Sequence, residues 1–276
     1  MLMLLSLTIF NGLTIVSALM YIIGASLVAI HINKGEKINN PRQFVLLSAM
    51  AAIVTHALLV THSYNVNQII ANDFFSMLSL VFLVISVLFI ASAFKQPIET
   101  LAIIVFPLSA IAVLLNINNS APVASSVAFD GALQTHIILS ILSYCLLTVA
   151  AFQAIFLSFQ EKQLHNRHPS RLINFLPPLQ LMEALLFRVL SLGLFLLTFA
   201  LATGFIFLDD VFAQHIAHKT VLSMMAWILF ATLLWGRHFL GWRGQKAVKW
   251  TYGGYLALML AYFGSKFVLQ LVLNQN

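Results

Sequence analysis

HKTVLSMMAWILFATLLWGRHFLGWRGQKAVKW, from His218 to Trp250, is the stretch that decides the fold. It places a long apolar run between a histidine and a basic turn marked by tryptophan. This pattern is typical of a membrane helix with one polar end and one cytoplasmic anchor. The rest of the chain agrees, because 61% of its 276 residues are hydrophobic and only 8% are charged. So few charged side chains cannot cover a soluble surface. We therefore predict an all-α fold, a polytopic transmembrane helix bundle.

Eight apolar segments are long enough to be membrane spans. They cover about residues 5–31, 43–62, 74–94, 98–115, 133–159, 189–208, 219–240 and 251–273. We predict that together they form a single transmembrane domain over residues 1–276. The first 33 residues contain no Lys or Arg, so we expect the first segment to remain as a span rather than to be removed as a signal peptide.

The basic residues predict the orientation. Twelve of the 14 Lys and Arg residues fall in or beside the odd-numbered loops, which the positive-inside rule assigns to the cytoplasm. Both termini are then extracytoplasmic. The net charge of +6 is thus a topology signal, and the predicted partner is the lipid bilayer, with no nucleic acid. The single cysteine, Cys145, lies in an apolar run, which indicates a membrane-buried thiol and no disulfide framework.

Local patterns predict how some helices begin, turn and pack. The segment 177–188 begins with two prolines and is amphipathic, so it predicts an interfacial turn that leads into the sixth span. Gly241 and Gly244 indicate a tight cytoplasmic turn. Small residues spaced by four predict two packing faces. These faces consist of Ala200 and Gly204 in the sixth span, and of Gly253, Ala257, Ala261 and Ser265 in the eighth.

Five of the nine histidines are predicted to lie in the outer half of the bundle. They are His56, His62, His136, His215 and His218. Polar residues that enter membrane helices are candidates for function, and His56, His136 and His218 are the strongest. The residues alone leave two interpretations open. The imidazoles either ligate a haem iron or another transition metal, or they only form hydrogen bonds where helices start. A zinc site at His215 and His218 lacks a third ligand.

The second half of the chain resembles the integral-membrane cytochrome c assembly family. The opening stretch carries this resemblance together with THIILSILSYCLLTVAAFQAIF from Thr135, PPLQLMEALLFRVLSLGLFLLTFALATG from Pro177 and LMLAYFGSKFV from Leu258. The resemblance implies a bacterial inner-membrane protein of eight helices. Members of the family handle haem at the outer face, with outward-facing histidines as iron ligands. His136 matches the histidine that opens the corresponding helix, and His218 falls at the end of the tryptophan-rich loop of haem-handling members.

The loop FLDDVFAQHIAHK, from Phe207, departs from that pattern because it contains no tryptophan. The chain is therefore similar to the branch of the family that lacks the tryptophan-rich motif. The resemblance implies a non-enzymatic haem-binding protein of cytochrome c biogenesis, with His136 and His218 as axial ligands and His56 as an alternate. Its expected partners are haem and other cytochrome c assembly components. The alternative is a non-haem accessory or regulatory subunit of an inner-membrane complex, in ion efflux or haem-synthesis regulation, with a membrane transport complex as a candidate partner.

Overall fold

The computed structural model of the chain describes residues 2–34, 41–67, 74–96, 98–117, 131–166, 176–207 and 217–264. Within these ranges every regular element is helical, so the predicted all-α fold is confirmed. The chain divides into two compact units. The first consists of Met1–Val127 and Ser170–Leu176, and the second of Ala128–Pro169 and Pro177–Asn276.

The described residues of the first unit form four helices around an aromatic and polar core. They are α1 (Leu2–Lys34), α2 (Pro41–Asn67), α3 (Phe74–Ala93) and α4 (Ala102–Leu115), the last preceded by a 3₁₀ turn at Glu99–Leu101. Helix α1 packs against α2 and α4, and α3 packs against α2 and α4. Tyr21, Ile85 and Phe106 are completely buried. This core therefore joins α1, α3 and α4.

The second unit contains α5 (Gly131–His165), α6 (Leu179–Phe207), α7 (Ala217–Leu240) and α8 (Gln245–Met259), and α8 continues as a π-helical turn, Leu260–Gly264. Helix α5 runs antiparallel to α6, because the Ser143 hydroxyl near its middle donates to the Gly193 carbonyl at 2.9 Å and Gln160 near its end donates to the Pro177 carbonyl at 3.0 Å. Helix α8 also packs against α5. The start of α5, the end of α6 and the start of α7 consequently lie at one end of this unit.

Among the described residues, six helical segments are long and apolar enough to cross a membrane. They are Phe10–Asn33, Arg42–Ser63, Phe74–Ala93, Leu133–His165, Leu179–Phe207 and Lys219–Leu240. A shorter apolar helical segment spans Glu99–Leu115. The polytopic helical architecture is thus confirmed. The count of eight spans, the extracytoplasmic termini and the single domain over residues 1–276 stay predictions, and residues 265–276 lie outside the described part of the chain.

The sixth span differs from its prediction at its start. Helix α6 begins at Leu179, ten residues before the predicted start at residue 189, and the amphipathic segment is its first part rather than a separate turn. Leu185 and Leu186 are buried by other parts of the protein. Glu183 is one of the polar residues that make this segment amphipathic in sequence, but in the structure it is paired with Arg237 at 3.0 Å. A charged residue that finds a partner on another helix does not have to end the apolar helix.

The small-residue faces are only partly as predicted. Ala200 and Gly204 are buried, as are Ala257 and Ala261. Gly253, however, is exposed, and its neighbour Gly254 is the buried residue. A Cβ on Gly254 would lie 2.8 Å from the Phe230 ring. The closest approach between α7 and α8 therefore uses a face shifted by one residue, and Ser265 lies outside the described residues.

Candidate cofactor site

His136 lies in the second turn of α5 and is half-buried against the end of α6. Its Nδ1 lies 2.8 Å from the Ala200 carbonyl oxygen and 3.3 Å from the Thr203 hydroxyl. Thr203 in turn contacts the same carbonyl at 2.9 Å. The ring is thus held by a backbone group and a side chain of the neighbouring helix. A residue predicted from sequence as a site candidate is here fixed in orientation.

The Ala200 contact determines which nitrogen of His136 carries the proton. A carbonyl oxygen can only accept, so Nδ1 must donate and therefore bears the hydrogen. In a neutral imidazole the lone pair then lies on Nε2. Metal-ligating histidines usually have this arrangement, in which the other ring N–H donates to a carbonyl or carboxylate. Among the described residues no hydrogen-bond partner is found for His136 Nε2. The donor chemistry of this residue fits an iron ligand.

His218 belongs to the same end of the second unit as His136. It lies in the first turn of α7, and α7 is aligned with α6 by a 2.8 Å hydrogen bond from Trp227 to Thr198. Because α5 and α7 both run antiparallel to α6, positions on them can be compared along the α6 axis. Measured in this way, the His218 backbone lies farther towards the end of α6 than His136, by roughly 9 Å at 1.5 Å per residue. His215 lies outside the described residues.

A group of tyrosines in the second unit was not singled out from the sequence. Tyr144 of α5 lies 6.1 Å from Tyr255 of α8 between ring centroids, with their hydroxyls 3.5 Å apart. The Tyr262 ring lies 6.2 Å from Tyr144 and belongs to the π-helical turn. Short π-helical segments occur frequently at functional sites. Only the pairing of α5 with α8 brings these rings together, so spacing along the chain gave no signal.

His56 occupies a different environment, inside the first unit. It is completely buried; its Nδ1 lies 3.3 Å from the Tyr21 hydroxyl and its Nε2 lies 2.9 Å from the Ser79 hydroxyl. Tyr21, His56 and Ser79 form a polar chain across α1, α2 and α3, and the Ser86 hydroxyl of α3 lies 3.0 Å from that of Ser109 of α4. Polar contacts therefore link α1, α2, α3 and α4. Both ring nitrogens of His56 have protein partners, so ligation of a metal would require the loss of one bond.

His62 and His238 fit the role of surface residues. Both are exposed, and their rings lie beside Phe10 at 5.5 Å and Phe239 at 4.8 Å. Within the described ranges no cluster of three or more His, Cys, Asp or Glu side chains is suited to hold a metal ion. Cys145 is completely buried, as predicted. The described candidates are consequently single histidines on separate helices.

Comparison with known proteins identifies a family and several relatives. A family model described as cytochrome C assembly protein matches residues 44–273. The chain is 39% identical over 137 residues to the inner membrane protein YpjD of Escherichia coli, covering 50% of this chain and 52% of that protein. It is 33% identical over 156 residues to an uncharacterized 28.8 kDa protein of Azospirillum brasilense, covering 56% and 58%.

A more distant relative is the cytochrome c biogenesis protein CcsA of Chlamydomonas reinhardtii, which is 25% identical over 134 residues, or 48% of this chain and 37% of that protein. The chain spans about half the length of the bacterial relatives that it matches. No solved structure matches it.

Proposed function

The chain belongs to the cytochrome C assembly protein family, and from that premise we propose that it is a non-enzymatic haem-binding protein of the bacterial inner membrane that acts in cytochrome c biogenesis. His136 is the first axial ligand in this proposal, and His218 is the second. The name of the CcsA relative supports the biological role, and the name of the YpjD relative supports the location.

The hydrogen bond from His136 Nδ1 to the Ala200 carbonyl, 2.8 Å long, is the observation that carries the proposal. It fixes the tautomer that leaves the Nε2 lone pair available, and it orients the ring from a neighbouring helix. A bound haem would supply the iron that accepts this lone pair. Thr203 assists by holding the same ring nitrogen at 3.3 Å. The protein's contribution is thus to hold one imidazole in place, with Nδ1 turned to the carbonyl.

His218 is proposed as the second ligand because α7 begins at the end of the unit where His136 lies. The two histidines belong to separate helices, which allows them to approach a haem from opposite sides. His56 is less suitable as the alternate ligand, because Tyr21 and Ser79 occupy both of its nitrogens. The proposal therefore ranks His136 and His218 above His56.

The visible absorption spectrum of protein purified from haem-replete cells tests this assignment. We expect a Soret band for the wild type, and its loss or shift in His136→Ala and His218→Ala. His238→Ala is the matched control, because His238 is exposed on the same unit and should leave the band unchanged. Thr203→Val should retain the band, since the Ala200 carbonyl still holds the ring. A wild type without a Soret band, or a His136→Ala protein with an unchanged one, would contradict the proposal.

The alternative function is an accessory or regulatory subunit of a membrane transport complex that binds no haem. The complete burial of His56 among hydroxyl groups favours it, because there a predicted ligand candidate serves as a core residue. Purification of the tagged protein under mild conditions separates the two functions. The accessory role predicts a co-purifying transporter whose recovery depends on Arg243 and not on His136.

A further inference from the structure

The turn between α7 and α8 is held by a buried carboxylate and two arginines. Glu183 of α6 is buried, and its two oxygens lie 3.0 Å from Arg237 and 3.7 Å from Arg243. Arg237 also lies over the Phe187 ring at 4.6 Å and donates to the Trp242 carbonyl at 3.4 Å. Arg237 is therefore fixed by several contacts, whereas the side chain of Arg243 is 67% exposed.

Trp242 is seated in the turn by close backbone packing. Its backbone N–H donates to the Gly236 carbonyl at 3.1 Å, and a Cβ on Gly236 would lie 2.5 Å from its indole ring. On its other sides the ring contacts Trp250 at 5.3 Å and the Lys246 ammonium at 4.2 Å. The turn itself requires positive φ angles of 65° at Gly241 and 57° at Gly244, as its glycines predicted. The packed Trp242 ring thus fixes the position of the Lys246 ammonium.

This region carries an excess of positive charge. Among residues 237–250 and the two carboxylates that contact them, basic side chains outnumber acidic ones by four to two. The basic residues are Arg237, Arg243, Lys246 and Lys249, and the acidic ones are Glu161, which hydrogen-bonds Gln245 at 3.0 Å, and Glu183. Arg243, Lys246 and Lys249 are exposed. Such a surface complements an anion.

Exposed apolar side chains in the last turns of α7 directly precede these cations in the chain. Trp235, Phe239 and Leu240 are 54%, 66% and 57% exposed, and the Trp235 and Phe239 rings lie 5.4 Å apart. These residues end a helical segment that is long and apolar enough to span a membrane. Aromatic side chains at such an end lie at the boundary between acyl chains and headgroups, and the cations that follow lie at the level of the headgroups.

We propose that the exposed residues Trp235, Phe239, Leu240, Arg243, Lys246 and Lys249, here called the α7–α8 surface, bind an anionic phospholipid. The lipid phosphate pairs with Arg243 and Lys246, and an acyl chain lies along Trp235 and Phe239. A water-soluble anion would make no use of the exposed apolar groups, and a zwitterionic lipid would make little use of the excess charge. The combination selects an anionic amphiphile. The site goes beyond general anchoring, because Glu183 and Gly236 hold its parts in position.

Competition between two lipids tests the proposal. The full-length protein in neutral detergent is mixed with equal amounts of phosphatidylglycerol and phosphatidylcholine with identical acyl chains, and bound lipid is counted by native mass spectrometry. Each cation near the phosphate contributes about a fivefold preference, so we expect at least a tenfold preference for phosphatidylglycerol. Arg243→Gln combined with Lys246→Gln should reduce it to about twofold or less. Lys95→Gln, which removes an exposed cation of the first unit, should leave it intact.

A second variant separates a built site from diffuse attraction of charge. Gly236→Ala changes no charge but displaces Trp242, so it should lower the preference several-fold. Gly253→Ala is the matched control, because the nearest atom to its Cβ would be Leu229 Cδ1 at 4.0 Å. No preference in the wild type, or an unchanged preference in the double variant, would overturn the proposal. A full preference in Gly236→Ala would show diffuse attraction only, and displacement by free glycerol phosphate at lipid-like concentrations would identify a soluble ligand instead.

Discussion

At the scale of single residues, His56 and His136 show two different uses of a histidine in membrane helices. The Nδ1 of His136 is bonded to a backbone carbonyl at 2.8 Å, and His56 is enclosed by the hydroxyl groups of Tyr21 and Ser79. Buried polar groups are costly unless they are hydrogen-bonded. The hydroxyls around His56 therefore stabilise the first unit, whereas the fixed ring of His136 suits a ligand.

Tyr21→Phe tests the role of the polar chain around His56. The substitution keeps the ring that packs 5.7 Å from Phe106 but removes the hydroxyl partner of His56 Nδ1. Leaving a buried polar group without a partner costs about 1–3 kcal/mol, so we expect a lower melting temperature of the purified protein. Tyr252→Phe is the control, because Tyr252 is 38% exposed. Equal melting temperatures for the two variants would show that the chain does not stabilise the fold.

The sequence could identify His56 and His136 as candidates but could not distinguish them. The partners of His56 precede it by 35 residues and follow it by 23 residues, and Ala200 follows His136 by 64 residues. Hydropathy and charge report on neighbours along the chain, whereas the partners come from other helices. Helix packing thus determines the tautomer of His136 and surrounds His56 with its hydroxyl partners.

At the scale of helices, the apolar runs were predictable and the paired charges were not. The predicted third and seventh spans, at residues 74–94 and 219–240, agree with α3 and α7 within two residues, because uninterrupted apolar runs determine them. The start of α6 at Leu179 is not predictable in this way, because the sequence does not show that Glu183 is paired with Arg237. For the same reason the sequence could not identify Gly254 as the packed glycine, because only the packed structure shows which glycine faces Phe230.

Gly24→Ala tests the close packing of α1. A Cβ at this position would lie 2.9 Å from both the Phe106 ring and the Ser48 hydroxyl. Phe106 is completely buried, and overpacking of a buried ring costs about 1–3 kcal/mol. We expect a clear loss of thermal stability. Gly12→Ala is the control on the same helix, because its Cβ would meet nothing within 4 Å, and alanine favours helix by about 0.5–1 kcal/mol. The packing argument fails if both variants melt alike.

At the scale of the whole molecule, orientation in the membrane connects the two proposals. The antiparallel packing of α7 against α8 and of α5 against α6 places His136 and the α7–α8 turn at opposite ends of the second unit. The positive-inside rule predicts that the turn faces the cytoplasm and that the His136 end faces outward. Haem handling at the outer face depends on this orientation, and the same orientation places the α7–α8 surface at the cytoplasmic leaflet.

Labelling of single cysteines in intact cells tests the orientation. In a Cys145→Ala background, Asn72→Cys and Gln134→Cys should react with a membrane-impermeant maleimide, because positive-inside topology places both residues outside. Arg243→Cys should react only after the membrane is permeabilised. Gln134 and Arg243 are both exposed, so a difference in labelling reports sidedness rather than burial. If Gln134→Cys and Arg243→Cys label alike in intact cells, the charge rule has misassigned this unit, and the haem proposal loses its outward-facing histidine.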